Sequence, residues 1–292
     1  MRTLVTGGGG QLATALERTR PHGVALQICS ASELDITDES SVGAAMKRHE
    51  PEVIVNTAAY TAVDEAETDE DSARLVNSVG PRILARAVGR LGARMVHVST
   101  DFVFDGSGST PLAPDDPVNP ISVYGRTKLE GEIAVRDELG DEALIVRTAW
   151  LYGATGSNFV KTMLRLMLDR DEIRVVSDQV GCPTWAHSLA KAIWCMLDRG
   201  VSGTQHWTDD GSASWYDFAV AIAEIAVETG ILDSAPRIRP VSTAEFPTAA
   251  SRPSYSVLDT SGTRSRLGDA DHAPRVHWRT NLGEMMRELS SG

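Results

Sequence analysis

The chain has 292 residues, and its 40 acidic against 28 basic residues give a net charge of −12. This acidity argues against binding to nucleic acid or to an anionic membrane. No apolar run approaches the ~20 residues that span a bilayer, and the first residues lack a signal-peptide pattern. We therefore expect a cytoplasmic enzyme with a small-molecule partner, built as one large α/β domain or as a nucleotide domain with a smaller cap.

A short apolar strand over residues 2–6 opens the chain and leads into the glycine-rich pattern TGxxGxxA. Glycines such as Gly7 and Gly10 let a backbone turn sharply next to a pyrophosphate. The amides of Gly10, Gln11 and Leu12 would then face the phosphates at a helix N-terminus. Four consecutive glycines are also typical of a flexible loop, but the preceding strand favours a dinucleotide site.

Strand and helix patterns alternate through the first half, as a parallel sheet requires. Gly80 and Pro81 are predicted to interrupt a helix that Gly92 ends. We predict an α/β fold with a Rossmann-type doubly wound parallel sheet. Its further strands are predicted over residues 25–29, 53–56, 94–99 and 143–147, and a helix over 38–49.

The second half is predicted to form a smaller α/β substrate-binding domain. We place the nucleotide domain at residues 1–148 and the substrate domain mainly at 149–292. Helices are predicted from about residue 158, over 214–229 and over 278–289. The helix near 187–197 is expected to return to the nucleotide sheet. Cys29, Cys182 and Cys195 lie far apart, which indicates buried thiols in a reducing compartment.

Polar and small residues follow two of the predicted strands, where ligands of such sheets bind. Ala58 and Ala59 follow one, and Thr100 and Asp101 follow the next. From spacing alone, a tight turn is equally typical of the first place and more typical of the second.

Tyr124 and Lys128 lie four residues apart and share one face of a predicted helix. A free phenol has a pKa near ~10, and a neighbouring ammonium stabilises the phenolate. Alone, this pair is more often a solvated Tyr beside a surface Lys. Together with the glycine loop and Thr100, it favours acid-base catalysis.

Several longer motifs resemble the extended short-chain dehydrogenase/reductases and, within them, the reductases of dTDP-4-dehydrorhamnose. The motifs are NTAAYTAVDEAE (56–67), STDFVFDG (99–106), YGRTKLEGE (124–132), RTAWLY (147–152), DQVGCPT (178–184) and ASRP (250–253). The resemblance runs nearly end to end. It implies reduction of the 4-keto group of dTDP-4-dehydro-L-rhamnose by NADPH, with NADH possible.

The resemblance also implies a role for each matching residue. Tyr124 is the acid/base, Lys128 binds the nicotinamide ribose and tunes Tyr124, and Thr100 assists through a hydrogen bond. The implied cofactor contacts are Gly7, Gly10, Gln11, Leu12, Ser30, Asp35, Ile36, Ala58, Ala59, Tyr60, Thr61, Tyr124 and Lys128. The implied substrate contacts are Val63, Thr100, Asp101, Trp150 as an apolar wall, Asn158, Gln179, and Arg252 on the diphosphate.

Two positions depart from the family pattern. Some members bridge two subunits through magnesium held by glutamates, and the matching position on the first helix is Ala15. We therefore predict no metal, and a monomer or a metal-free homodimer. The second departure is at Ser30, where enzymes selective for NAD carry an acid, so we expect nothing there to repel a 2′-phosphate.

Two alternatives stay open. One is a related sugar-nucleotide enzyme, either a 4-ketoreductase making a deoxysugar for a natural product or an epimerase. The other is a regulator without catalysis, similar to the β subunit of methionine adenosyltransferase.

Overall fold

The computed structural model describes residues 1–268 and 275–290. Strands and helices alternate through its first half. The strands are β1 (Arg2–Thr6), β2 (Ala25–Cys29), β3 (Val53–Asn56), β4 (Arg94–Thr100), β5 (Leu144–Thr148), β6 (Leu151–Tyr152), β7 (Glu172–Val176), β8 (Val180–Gly181), β9 (Thr184–Trp185), β10 (Gly203–His206), β11 (Ala213–Ser214) and β12 (Arg237–Val241). The helices are α1 (Gln11–Arg18), α2 (Glu39–His49), α3 (Glu70–Arg74), α4 (Gly80–Leu91), α5 (Val123–Leu139), α6 (Phe159–Asp169), α7 (Ala186–Asp198), α8 (Trp215–Glu228), α9 (Ser261–Leu267) and α10 (Trp278–Ser290).

Six parallel strands form the central sheet, in the order β10-β5-β4-β3-β1-β2. The strands β1, β3, β4 and β5 are apolar and almost wholly buried, because helices cover both faces of the sheet. The strand order reverses beside β1, and ligands of doubly wound sheets bind at such a point, outside the carboxyl ends of the strands. The predicted Rossmann-type fold is confirmed.

The predicted break at Gly80 and Pro81 is wrong. Helix α3, a π turn over Leu75–Val79 and helix α4 follow one another without a gap. Pro81 lies in the first turn of α4, where its missing N–H is tolerated. Gly92 ends the helix with a left-handed φ of +64°, as predicted.

A second hydrophobic core lies beyond the sheet. It is built by α6, α8 and α10 together with the parallel pair β7 and β12. The chain returns to the central sheet with α7, which packs on α1, and with β10, which pairs with β5. The domain boundary near residue 148 stays a prediction. In the described part of the chain, no helix is both long and apolar enough to cross a membrane.

Candidate active site

The glycine loop lies against the end of β3. Gly7 has a φ of +75°, and a Cβ at this position would come within 2.8 Å of the backbone N of Ala58. Gly10 N–H donates to Gly7 O at 3.0 Å, so its predicted role as a phosphate donor is not available in this loop. The amides of Gln11 and Leu12 open α1 and have no carbonyl one turn earlier within the helix. A pyrophosphate fits this cradle.

Gln11 joins the glycine loop to the start of α6. Its Oε1 accepts from Asn158 Nδ2 at 2.9 Å, and its Nε2 donates to Ser157 O at 3.3 Å. Asn158 also caps α6, because its Oδ1 accepts from Lys161 N–H at 3.1 Å. These bonds give Asn158 a structural role; its contact with substrate stays a prediction.

A carboxylate stands at the end of β2. Both the backbone N–H and the hydroxyl of Ser30 donate to Glu33 Oε2 at 2.8 Å. These hydrogen bonds hold the pKa of Glu33 below its usual value. An acid therefore lies beside Ser30, and the expectation that nothing there repels a 2′-phosphate stays a prediction. The sequence signal was available, because Glu33 lies four residues after the end of β2.

Asp35 and Ile36 lie between β2 and α2. Asp35 is exposed, and its Oδ1 accepts from Thr37 N–H at 2.9 Å and from the Thr37 hydroxyl at 2.7 Å. Ile36 is buried and packs against Gly80, where a Cβ would come within 2.7 Å of Ile36 Cδ1. The side chain of Asp35 is therefore accessible to an adenine. The side chain of Ile36 is not, so only its backbone could contact the base.

The amide of Asn77 fixes the loop that follows β3, which holds Ala58, Ala59, Tyr60 and Thr61. Asn77 Oδ1 accepts from Tyr60 N–H at 2.9 Å, and its Nδ2 donates to Tyr60 O and to Thr127 Oγ1, both at 3.1 Å. Asn77 is fully buried in the π turn. Thr127 precedes Lys128, so one amide joins the predicted cofactor loop to the catalytic helix. Sequence reasoning missed Asn77.

Thr100 and Asp101 lie at the end of β4. The Thr100 hydroxyl donates to Asp101 Oδ1 at 3.1 Å and accepts from Phe102 N–H at 3.2 Å. Burial raises the pKa of Asp101 to about 6, although the hydroxyls of Ser256 and Thr100 lower it. Asp101 Oδ2 is buried and finds no hydrogen-bond partner within residues 1–268 and 275–290. Such an orphan acceptor suits a substrate hydroxyl.

Helix α5 presents Tyr124 in its first turn. Ser122 caps the helix by accepting from Gly125 N–H at 3.2 Å, and Glu67 Oε1 accepts from Val123 N–H at 2.9 Å. Gly125 is required because a Cβ there would collide with the carbonyl of Phe102, the residue after Asp101. The close packing brings Tyr124 to the end of β4.

The Tyr124 phenol is poised as a proton donor. Burial raises the pKa of Tyr124 to about 12; the charge of Asp101 adds to this rise, and a hydrogen bond from Thr100 acts against it. The ring keeps a partly exposed surface and contacts Phe102 edge to face at 5.4 Å. At neutral pH the phenol therefore carries its proton. The expected lowering of the Tyr124 pKa by the Lys128 ammonium is not observed; burial, Thr100 and Asp101 account for the shift.

Lys128 lies one turn further along α5 and is buried. Its Nζ donates to Val98 O at 2.7 Å, two residues before Thr100. Burial lowers the pKa of Lys128 to about 8, while the carboxylate of Glu132 raises it. The ammonium thus contacts the backbone of β4 near its carboxyl end.

Trp150 and Gln179 lie on the substrate side. Trp150 stacks on Trp215 with ring centroids 3.5 Å apart, and Gly181 lies against its indole. Trp215 therefore covers one face of the indole, and the contact of Trp150 with a sugar stays a prediction. Gln179 is buried, and its Nε2 donates to Thr243 Oγ1 at 3.0 Å.

Arg252 is paired within the chain. Its Nη2 donates to Asp64 Oδ2 at 2.7 Å and its Nη1 to Asp64 Oδ1 at 3.1 Å, which places it beside the loop of Val63. This guanidinium holds the pKa of Asp64 below its usual value. A diphosphate would have to compete with Asp64 or share the guanidinium, so the contact of Arg252 with phosphate stays a prediction.

The family described as "RmlD substrate binding domain" matches residues 1–291. The chain belongs to this family. The resemblance found in the sequence motifs is thereby confirmed.

Individual members of the RmlD family resemble the chain over its whole length. A dTDP-4-dehydrorhamnose reductase of Streptomyces griseus is 43% identical, covering 99% of this chain and 94% of the relative. A dTDP-4-keto-6-deoxy-D-glucose reductase of Streptomyces niveus is 42% identical, covering 99% and 98%. The crystal structure of dTDP-4-dehydrorhamnose reductase from Bacillus anthracis in complex with NADP matches with a TM-score of 0.91 at 36% identity, covering 98% and 99%.

Ala15, at the position where the sequence comparison expected a metal-bridging glutamate, is buried. Ala15 is buried in the core that α1 shares with α7. Beside it, Arg18 pairs with Glu288. Across the described ranges, 1–268 and 275–290, no three His, Cys, Asp or Glu side chains are grouped to hold a metal ion.

Proposed function

We propose that this protein reduces the 4-keto group of dTDP-4-dehydro-L-rhamnose with NAD(P)H to give dTDP-L-rhamnose. The observation that carries the proposal is the meeting of Thr100, Tyr124 and Lys128 at the carboxyl end of β4. A proton donor and a buried ammonium at that edge suit reduction of a carbonyl. The similarity to reductases of S. griseus and B. anthracis supports the substrate class.

Proton transfer is the task of Tyr124. A reduced nicotinamide, when bound, supplies the hydride to the keto carbon. Tyr124 then gives its proton to the forming alkoxide, and its raised pKa keeps that proton available at neutral pH. Thr100 has one hydroxyl proton, which it now shares with Asp101, and it would turn this proton to the same oxygen as charge develops.

Binding is assigned to the residues around these three. Gln11 and Leu12 would offer amides to the pyrophosphate, and Lys128 would hold the nicotinamide ribose. Asp101 would accept a sugar hydroxyl on its orphan Oδ2. Trp150, Asn158, Gln179, Val63 and Arg252 remain proposed contacts on the substrate side. The three buried, unbridged cysteines support a reducing, cytoplasmic location.

A second candidate is a 4-ketoreductase for another dTDP-4-keto-6-deoxysugar. The 42% identity to the S. niveus dTDP-4-keto-6-deoxy-D-glucose reductase favours it, since the identity to the S. griseus dTDP-4-dehydrorhamnose reductase is 43%. Both reactions need the same proton donor and the same nucleotide, so they differ only in the sugar. A regulator without catalysis would not need Thr100, Tyr124 and Lys128 together.

The test is product identification. The protein is incubated with NADPH and enzymatically generated dTDP-4-dehydro-L-rhamnose, and in parallel with dTDP-4-keto-6-deoxy-D-glucose, and the products are identified by NMR. We expect dTDP-L-rhamnose from the first. Turnover of only the second would support the alternative, and turnover of neither would favour a regulator.

The variant Tyr124→Phe distinguishes an effect on turnover from an effect on NADPH binding. Tyr124→Phe removes the proton donor and keeps the ring, so turnover should fall about a hundredfold or more. NADPH affinity, measured by cofactor fluorescence, should stay within about twofold. Near-normal turnover in Tyr124→Phe would remove Tyr124 from the mechanism.

A further inference from the structure

Trp150 has a backbone conformation that tryptophan rarely adopts. Its φ is +47°, and within the part of the chain that the structure describes, Glu50 is the only other non-glycine residue with a positive φ. A bulky residue in this region is strained, so the conformation persists only where neighbouring groups hold it. Strain of this kind is concentrated at functional sites.

Two residues enclose the Trp150 indole. Trp215 stacks on it, with ring centroids 3.5 Å apart and planes within 6°. Gly181 lies against it from another direction, because a Cβ at Gly181 would come within 2.6 Å of Cε2 and 2.7 Å of Nε1. The carbonyl of Trp150 also accepts from Thr184 N–H at 3.2 Å.

One small ladder fixes the positions of Trp215 and Gly181. Strand β11 pairs with β8, which sets Ala213 opposite Gly181. Trp215 follows β11 as the first residue of α8. Its place is secured by a capping box, in which the Ser214 hydroxyl accepts from Asp217 N–H at 3.0 Å and Asp217 Oδ2 accepts from Ser214 N–H at 2.9 Å.

This enclosed indole lies next to the catalytic strand ends. Trp150 comes two residues after Thr148, and Thr148 pairs in register with Thr100. Trp150 and Trp215 are both only partly buried. The stacked pair therefore keeps accessible surface beside these strand ends.

We propose that Trp215 is a positioning residue for the sugar nucleotide. By stacking on Trp150, it holds the indole of this strained residue in one orientation beside the strand ends, where the indole would contact the hexose. The inference rests on the proposed function, which supplies the ligand. Trp215 acts through Trp150, so its loss should weaken sugar-nucleotide binding without touching proton transfer or the cofactor.

The test compares Trp215→Leu with a control, Trp185→Leu. Trp185 is also partly buried, but it stacks on His187. We expect Trp215→Leu to lose the exciton-coupled far-ultraviolet circular dichroism of the paired indoles. The KM for the sugar nucleotide should rise about tenfold, while kcat and the KM for NADPH change less than about twofold. Trp185→Leu should keep both the signal and the sugar KM, and Trp215→Phe should restore most of the sugar KM.

A second variant, Gly181→Ala, alters the contact between residue 181 and the Trp150 indole. Gly181 does not have a positive φ, and the three atoms closest to an added Cβ all belong to Trp150. The sugar KM should rise here too, which keeps the test valid if Trp215→Leu does not fold. An unchanged sugar KM in a folded Trp215→Leu that has lost the exciton signal would overturn the inference alone. A wild-type protein that turns over no 4-keto sugar nucleotide would overturn the proposed function, and this inference with it.

Discussion

Arg147 on β5 and Glu132 on α5 form a bidentate ion pair, and Glu132 lies one helical turn beyond Lys128. Arg147 Nε lies 2.9 Å from Glu132 Oε1 and Nη2 lies 2.8 Å from Oε2, with side-chain exposures of 2% and 0%. Ser99 donates to the same carboxylate at 2.5 Å, and Arg147 Nη1 donates to Pro114 O at 3.0 Å. The pair therefore ties α5 to the ends of β4 and β5.

Breaking this pair should destabilise the fold strongly. Arg147→Met leaves a buried carboxylate without its counter-ion, so we expect the free energy of unfolding to fall by about 3–5 kcal/mol. Urea unfolding of the variant and of the wild type measures this difference in the free energy of unfolding. The double variant Glu132→Leu with Arg147→Met should recover most of the loss. The exposed pair of Arg237 with Glu172 is the control, and Arg237→Met should cost less than about 1 kcal/mol. Equal losses in Arg147→Met and Arg237→Met would contradict the argument.

NADPH binding should weaken as pH rises past the pKa of Lys128. Burial lowers this pKa to about 8, so the ammonium is present below that pH and is lost above it. We expect the KM for NADPH to increase between about pH 7 and pH 9. In Lys128→Met the KM for NADPH should be high at every pH, because the ammonium that would hold the ribose is gone. Lys161→Met, at an exposed lysine, should keep the wild-type profile. A flat wild-type profile would argue against a ribose contact by Lys128.

Cofactor preference should depend on Glu33. Its carboxylate accepts two hydrogen bonds from Ser30 and would stand near a 2′-phosphate. Glu33→Gln removes that like charge, so the ratio of kcat/KM for NADPH to that for NADH should rise by about threefold or more. Ser30→Asp should lower the ratio. Glu142→Gln, at an exposed acid, should leave it unchanged. If Glu33→Gln does not alter the ratio, the carboxylate does not face the cofactor.

Features that depend on local sequence were predictable. Tyr124 and Lys128 could be placed on one helix face because helical spacing is local, and the glycine loop could be placed because it follows an apolar strand directly. The central strands were likewise readable from short apolar runs between turns.

Features that join distant segments were not predictable. Asn77 is 17 residues from Tyr60 and 50 from Thr127. It contacts both from a π turn, which the sequence pattern did not predict. Trp215 meets Trp150 only because β11 pairs with β8. Arg252 was predicted as a phosphate contact from its chemistry alone, and the fold supplies Asp64 as a competing partner.

Activity should not require magnesium. Ala15 offers no carboxylate, and its side chain is buried between α1 and α7 of the same chain, so a hard cation has no charged oxygen there. We expect turnover to survive EDTA, and the mass from light scattering to be the same with and without magnesium, whether it reports a monomer or a metal-free dimer. A magnesium-dependent dimer would contradict this. Glu17, exposed further along α1, would then be the first residue to examine, and loss of that dimer in Glu17→Gln would identify it as the replacement ligand.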